Sequence, residues 1–218
     1  MLMLAIAVCL FGALAILLAD EYLAKRKILK AKYRRNFVHI TVGIFIASWP
    51  WLISWRTIQL IGVLMLAIVA YNRYHPVFKF NHNTKRETYG DFCFALAVIA
   101  CASLTTINVF FALAMLELAL ADSIAALIGK KYGTKWNYKV FHQTKTVLGS
   151  MMFWVVTVYI LGVGILFAHD LISYSSYAAI ILLLPPVLTL LENITPVGLD
   201  DLVVPVTLII VLGIAQTA

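Results

Sequence analysis

ADSIAALIGKKYGTKWNYKVFHQTKTVLGS, residues Ala121–Ser150, opens with an acid at the tail of one apolar run and ends inside the start of another. Between them it crosses Gly129 and Gly133, five lysines and His142, and closes on Lys145-Thr146-Val147-Leu148-Gly149-Ser150. A basic loop joining two apolar runs is the repeating unit of a polytopic membrane protein, because positive loop residues hold the segments in one orientation across the bilayer.

Composition agrees. The 218 residues are 63% hydrophobic and 12% charged, against about 25% charged in soluble domains. The net charge of +7 resides in short loops, which argues for a topological role and against nucleic-acid binding. Cys9, Cys93 and Cys101 all fall in apolar runs, so a structural role is expected for them and a disulfide framework or zinc site is not.

Outward from the quoted stretch, eight apolar segments are expected to be helices: Leu2 to Ala19, Phe37 to Trp55, Thr57 to Tyr71, Asp91 to Thr105, Val109 to Ile128, Val147 to Ala168, Tyr174 to Leu191 and Leu202 to Ile214. The first has no positive charge ahead of it and a dense basic cluster behind it, the pattern of a retained helix with its N-terminus outside. The expected fold is therefore a single all-α integral membrane domain, 1–218, a bundle of about eight transmembrane helices. Eight crossings place loops 25–35, 72–90, 129–146 and 192–201 on one side. That side carries all of the 17 Lys and Arg residues except Arg56, and the positive-inside rule makes it cytoplasmic.

The acids carry more information than the bases. Of 10 acids, Asp20, Glu21 and Asp170 lie at helix ends and read as solvated. Glu117 and Asp122 lie within or at the end of an apolar segment, where a carboxylate marks function by default. Asp122, next to the basic loop, is the stronger candidate, and Glu117 also suits a structural hydrogen bond. Ala121, Ala125, Gly129 and Gly133 form a small-residue stripe that suits helix packing and would also let backbone approach a phosphate. Lys145 and Thr146, followed by Gly149 and Ser150, stand where a helix begins, and free amides beside a lysine suit an anion. No nucleotide P-loop pattern is present.

Asp200 and Asp201, with Glu192 before them, are expected on the same side as these lysines. They suit a cap for the last helix or, with Asp122, a set of oxygen ligands for Mg²⁺. Carboxylates and lysines together at a membrane surface point to metal-assisted phosphoryl transfer. Of the five histidines, His39 stands out as a catalytic candidate; His75, His82 and His142 are loop residues.

Four motifs, Arg35-Asn36-Phe37-Val38-His39, Lys85-Arg86-Glu87-Thr88-Tyr89-Gly90, the quoted stretch, and Glu192 through Pro205, together resemble the CTP-dependent polyprenol kinase family. That family comprises dolichol kinase, phytol kinase and CTP-dependent diacylglycerol kinase, and is related to phosphatidate cytidylyltransferases. The resemblance implies CTP as donor and a long-chain lipid alcohol as acceptor, with functional loops 72–90, 129–150 and 192–205. It departs from the family pattern at Asn36, where a lysine is usual, at Leu148, where a glutamate is usual, at Leu199, where an aspartate is usual, and at Asp201, where an asparagine is usual, which leaves Asp200 as the retained acid of that motif.

The expected enzyme is thus a membrane kinase. Asp122, Lys145 and His39 are its catalytic candidates, with Lys130, Gly129, Gly133, Thr146, Gly149, Ser150 and Arg86 on the nucleotide phosphates and Asp122, Asp200, Asp201 and Glu192 on Mg²⁺. A cytidylyltransferase is the alternative within enzymes, and a transporter or scaffold the alternative outside them. The transporter requires acids near the bilayer midplane, whereas most acids here lie toward one face.

Overall fold

The computed structural model describes residues 2–26, 31–74, 89–133, 135–140, 143–196 and 198–217. Its helices are α1 (Leu2–Lys25), α2 (Ala31–Ala47), α3 (Trp55–Tyr74), α4 (Gly90–Leu104), α5 (Asn108–Leu116), α6 (Asp122–Tyr132), α7 (Val147–Gly164), α8 (Tyr174–Ile194) and α9 (Asp200–Thr217). A π-helical turn, Glu117–Ala121, joins α5 to α6 in one continuous rod. Each expected segment has a helix at its position, but the segment Phe37 to Trp55 is divided: α2 ends at Ala47, a 3-10 turn covers Trp49–Trp51, and Trp55 already begins α3. Among the described residues five rods, fewer than the eight crossings expected, are long and apolar enough to cross a membrane: Ile6–Lys25, Trp55–Asn72, Asn108–Tyr132, Val147–Ala168 and Tyr174–Ile194.

The rod Asn108–Tyr132 is the axis of the bundle. It is 61% buried, against 12–33% for the other four spans. Its sequence explains this: Phe110, Phe111, Ala112, Leu113, Ala114 and Met115 are apolar in unbroken succession and all are buried, the mark of a helix surrounded on every side. Around it α2, α7 and α9 make direct contact, while α1 pairs with α2, α3 with α4, and α8 with α7 and α9. The outer faces of α3, α7 and α8 expose Leu60, Tyr159 and Leu182, an apolar surface suited to lipid.

Three further expectations change. The fold is nearly, not wholly, α-helical: the stretch expected as loop 129–146 contains a two-stranded antiparallel hairpin, β1 (Asn137–Val140) and β2 (Gln143–Thr146). Tyr138, Val140, Thr144 and Thr146 favour extended backbone, and the hairpin sits beyond the end of α6, where lipid imposes no helix. The helices at this end also run past the apolar segments, α2 beginning at Ala31 and α9 at Asp200, because polar residues continue a helix once it leaves the hydrocarbon. Finally, Asp20 is 1% exposed, not solvated. Arg34 reaches across from α2, donating from Nε at 3.1 Å and Nη2 at 2.5 Å to its Oδ2, and a buried carboxylate requires such a partner.

Candidate active site

Five helix ends meet at one end of the bundle. The starts of α2, α7 and α9 and the ends of α6 and α8, with strand β2, enclose a cleft of about 230 Å³. Its walls bring together Arg35, Asn36 and His39 from α2, Asp122, Ser123, Gly129 and Lys130 from α6, Lys145 and Thr146 from β2, Gly149 and Ser150 from α7, Glu192 from α8, and Asp200 and Asp201 from α9. Of the candidates from sequence, Gly133 is outside this lining, and Arg86 lies outside the described residues.

The acids form the floor. Ligand oxygens of Asp122, Glu192 and Asp200 lie within 4.8 Å of one another, and Asp122, Asp201 and a ring nitrogen of His39 form a second such group. Asp122 belongs to both. Burial, followed by repulsion from the Asp122 carboxylate, pushes Asp200 up to about 6. The same two causes, with Asp200 added, push Asp201 well up from the usual carboxylate range. Both stand at the mouth of α9, ahead of its apolar segment. Like charges held this close favour a bound cation, and three converging hard oxygen donors suit Mg²⁺. The donor set therefore fits the metal expected from sequence.

Two of the acids are held from different directions. Gly198, at φ 88°, occupies a left-handed conformation that glycine adopts without steric cost, and its amide donates to Asp200 Oδ1 at 2.9 Å. An added Cβ there would come within 2.6 Å of the Gly90 nitrogen, so this turn lies directly on the start of α4. Lys145 Nζ donates to the carboxylate of Glu192 and, at 2.6 Å, to its main-chain oxygen. The lysine thus ties β2 to the last turn of α8.

Thr146 is the N-cap of α7. Its hydroxyl accepts from the Gly149 amide at 3.0 Å, satisfying one of the free donors of that helix start. α6 lies directly against this turn: a Cβ at Gly129 would meet Thr146 Oγ1 at 2.5 Å and Gly149 Cα at 3.3 Å. Gly129 and Gly149 therefore both line the cleft and allow close approach of the two helices, whereas the Gly133 Cα is turned against Gly129 and the Thr146 side chain.

His39 Nε2 donates to the Leu118 carbonyl of the π turn at 3.1 Å and stands 4.0 Å from Asp201 Oδ1, and the ring meets Phe94 edge-on. This bond to a carbonyl holds the histidine in place beside the acids. Asn36, where the resemblance leads to expect lysine, donates to the Ser123 carbonyl at 3.2 Å, joining α2 to α6. Leu148 is half-buried on α7 and is not part of the cleft wall.

Two participants escaped sequence reading. Tyr138 donates to Asn193 Oδ1 at 2.6 Å, and Ser150 donates to the same oxygen at 2.9 Å, so β1, α7 and α8 are joined beside the cleft. Asn193 directly follows Glu192 and could have been found by that adjacency. Tyr138 carried no local signal, because only the hairpin brings it back to α8.

No family model and no solved structure matches the chain. The chain is similar to a protein named phytol kinase from Synechocystis sp., with 25% identity over 201 residues, covering 88% of this chain and 82% of that protein. Along most of its length, then, the chain is a distant relative of a phytol kinase.

Proposed function

We propose that this protein is a membrane kinase that transfers the γ-phosphoryl group of a nucleoside triphosphate, CTP, to the hydroxyl of a long-chain lipid alcohol of the phytol or polyprenol type. The observation that carries the reading is the meeting of the Asp122, Glu192 and Asp200 oxygens within 4.8 Å in the cleft that also holds Lys130, Lys145 and the start of α7. The similarity to a phytol kinase supports the acceptor class, and the motif resemblance supports CTP.

Asp122, Glu192 and Asp200, with Asp201 adjacent, would hold Mg²⁺, which when bound draws charge from the phosphate oxygens. Lys130 and the amides at the start of α7 neutralise the remaining phosphate charge, and Lys145 exchanges Glu192 for a phosphate oxygen. The acceptor hydroxyl enters from the lipid side. Its oxygen forms the new bond to the γ-phosphorus as the bond to the β–γ bridging oxygen breaks, the nucleoside diphosphate leaves, and Asp122 takes the hydroxyl proton. Most of the rate arises from alignment and charge stabilisation, as is general for phosphoryl transfer. The side of the membrane is cytoplasmic by the positive-inside rule, where the nucleotide is present.

Purified protein in lipid nanodiscs, given CTP or ATP labelled at either the α or γ phosphorus with phytol, a polyprenol or diacylglycerol, tests this. The expected product is a lipid carrying the γ label with CTP as the better donor. A lipid carrying the α label would establish a cytidylyltransferase instead. No labelled lipid from any combination would overturn the kinase and favour a transporter or scaffold.

A further inference from the structure

The hairpin turns one face toward the end of α8. Its register sets Tyr138 of β1 opposite Lys145 of β2 and Val140 opposite Gln143, and directly opposed residues of an antiparallel pair share a face. These four are half-buried, whereas Lys139 and Thr144, between them, are exposed. Three of the four side chains grip the close of α8: Lys145 donates to Glu192, Tyr138 to Asn193 Oδ1 at 2.6 Å, and Gln143 Nε2 to the main-chain oxygen of Thr195 at 3.4 Å.

The three holds differ in kind. Lys145 lines the cleft, and in the proposed reaction it exchanges Glu192 for a phosphate oxygen. The Gln143 bond is long, and therefore weak. The Tyr138 hold is built from both sides. Asn193 is fixed by its own amide, which donates to the Thr189 carbonyl at 2.8 Å. Ser150 of α7 donates to the same Asn193 oxygen at 2.9 Å and meets Tyr138 Oη at 2.5 Å. The phenol thus stands on two helices at once, and neither partner is a charged group.

We propose that Tyr138 is a positioning residue that acts through Lys145: anchored on Asn193 and Ser150, it keeps the hairpin in place when Lys145 leaves Glu192 for a nucleotide phosphate. In the free protein the Lys145 and Tyr138 holds support one another. In the nucleotide-bound protein Lys145 no longer grips α8, and the Tyr138 hydroxyl is the stronger of the two holds that remain. A group that contributes more to the bound state than to the free state shows in affinity, and one that contributes equally to both does not. The inference rests on the phosphate-binding role proposed for Lys145, but not on the lipid acceptor or on any transfer to it.

The test is equilibrium binding of radiolabelled CTP with Mg²⁺ to purified protein in lipid nanodiscs, without a lipid alcohol, and thermal unfolding of the same samples. Tyr138→Phe keeps the ring and loses only the hydroxyl. Its CTP affinity is expected to fall about two- to tenfold, the span of one net hydrogen bond. Asn193→Ala removes the anchor from the other side and is expected to fall by a similar factor; the double variant should fall no further than the weaker single, because the two residues act as one unit. In a Lys145→Gln background, where no ammonium is left to place, Tyr138→Phe is expected to have no further effect. Val140→Ala loosens the same hairpin face without touching the anchor, and is expected to lower the melting temperature while affinity stays near wild type.

A folded Tyr138→Phe with wild-type affinity, whatever its melting temperature, overturns the proposal, since the hydroxyl would then be a structural bond alone. If Tyr138→Phe does not fold, wild-type affinity in Asn193→Ala overturns it instead. An undiminished effect of Tyr138→Phe in the Lys145→Gln background overturns it too. Wild-type protein that binds no CTP refutes the phosphate role of Lys145 and this inference together. If the series behaves as expected while no lipid alcohol is phosphorylated, the kinase reading fails and this one stands; phosphorylation by protein whose CTP affinity is indifferent to Tyr138 is the reverse.

Discussion

Lys145 and Glu192 are joined twice, the ammonium donating to the glutamate's carboxylate and, at 2.6 Å, to its main-chain oxygen. The second bond caps the last turn of α8, where a cation is favoured by the free carbonyls. The first binds one of the acids that would hold a metal. A single lysine therefore links the hairpin, the α8 terminus and the acidic floor, and structural and chemical roles have to be separated by experiment.

Lys145→Ala is expected to abolish turnover and also to lower stability by about 3 kcal/mol, because it leaves the buried Glu192 carboxylate unpaired. Adding Glu192→Gln removes that unpaired charge. The double variant should regain most of the stability measured by denaturation in detergent, while turnover stays below detection. Recovery of turnover along with stability would assign Lys145 a purely structural role.

Asp122 is shared by both acid groups. Asp122→Asn keeps its size and relieves repulsion with Asp200 and Asp201, so stability should be unchanged or higher. The rate should fall at least about 10³-fold, the scale of losing a group that both positions a metal and takes a proton. A wild-type rate in this variant would remove Asp122 from the mechanism.

Gly129→Ala tests the contact of α6 with the start of α7. The new methyl would stand 2.5 Å from Thr146 Oγ1 with the Gly149 backbone behind it at 3.3 Å. The threonine cannot move away without surrendering the cap it gives Gly149. Overpacking of this kind costs about 1–3 kcal/mol, and a melting-temperature drop accompanied by reduced turnover is expected. Gly213→Ala, where an added Cβ meets nothing within 4 Å, serves as the control.

The acidic floor predicts a pH dependence. Asp200 is pushed up to about 6 by burial and by Asp122, above the unfolded-state value near 3.9. Between those limits the folded state binds more protons than the unfolded, so this group's contribution to stability is present below about pH 4 and is lost as pH rises through 6. Metal-free protein should lose stability across that window. Saturating Mg²⁺, which requires the deprotonated acid, should stabilise increasingly as pH rises. Thermal unfolding at several pH values with Mg²⁺ or a chelator measures both, and a Mg²⁺ effect that is flat from pH 5 to 7 would contradict the assignment of Asp200 as a ligand.

Hydropathy alone located the helical rods among the described residues, since an apolar run in lipid must satisfy its backbone internally, though not their number as membrane spans. The same sequence marked Asp122, Glu192, Asp200 and Asp201, because acids beside apolar segments stand out from a background that is 63% hydrophobic. Asp20 shows where that reasoning stops: its position at the end of an apolar segment suggested solvent, and only the arrival of Arg34 from the neighbouring helix revealed burial. Tyr138 and Asn193 were hidden for a similar reason, being neutral, separated in the chain, and paired only when the hairpin folds back.

What the sequence by itself determined is therefore the membrane class, the helical rods and the chemical types available at one end of them. What only the tertiary structure decided is which of those groups touch: the common cleft, the Lys145–Glu192 pair, the glycine contact of α6 with α7, and the register that sets Tyr138 opposite Lys145. Helix periodicity and lipid solvation act within a segment and can be read locally. The contacts between segments depend on crossing geometry and on strand register, which hydropathy does not record.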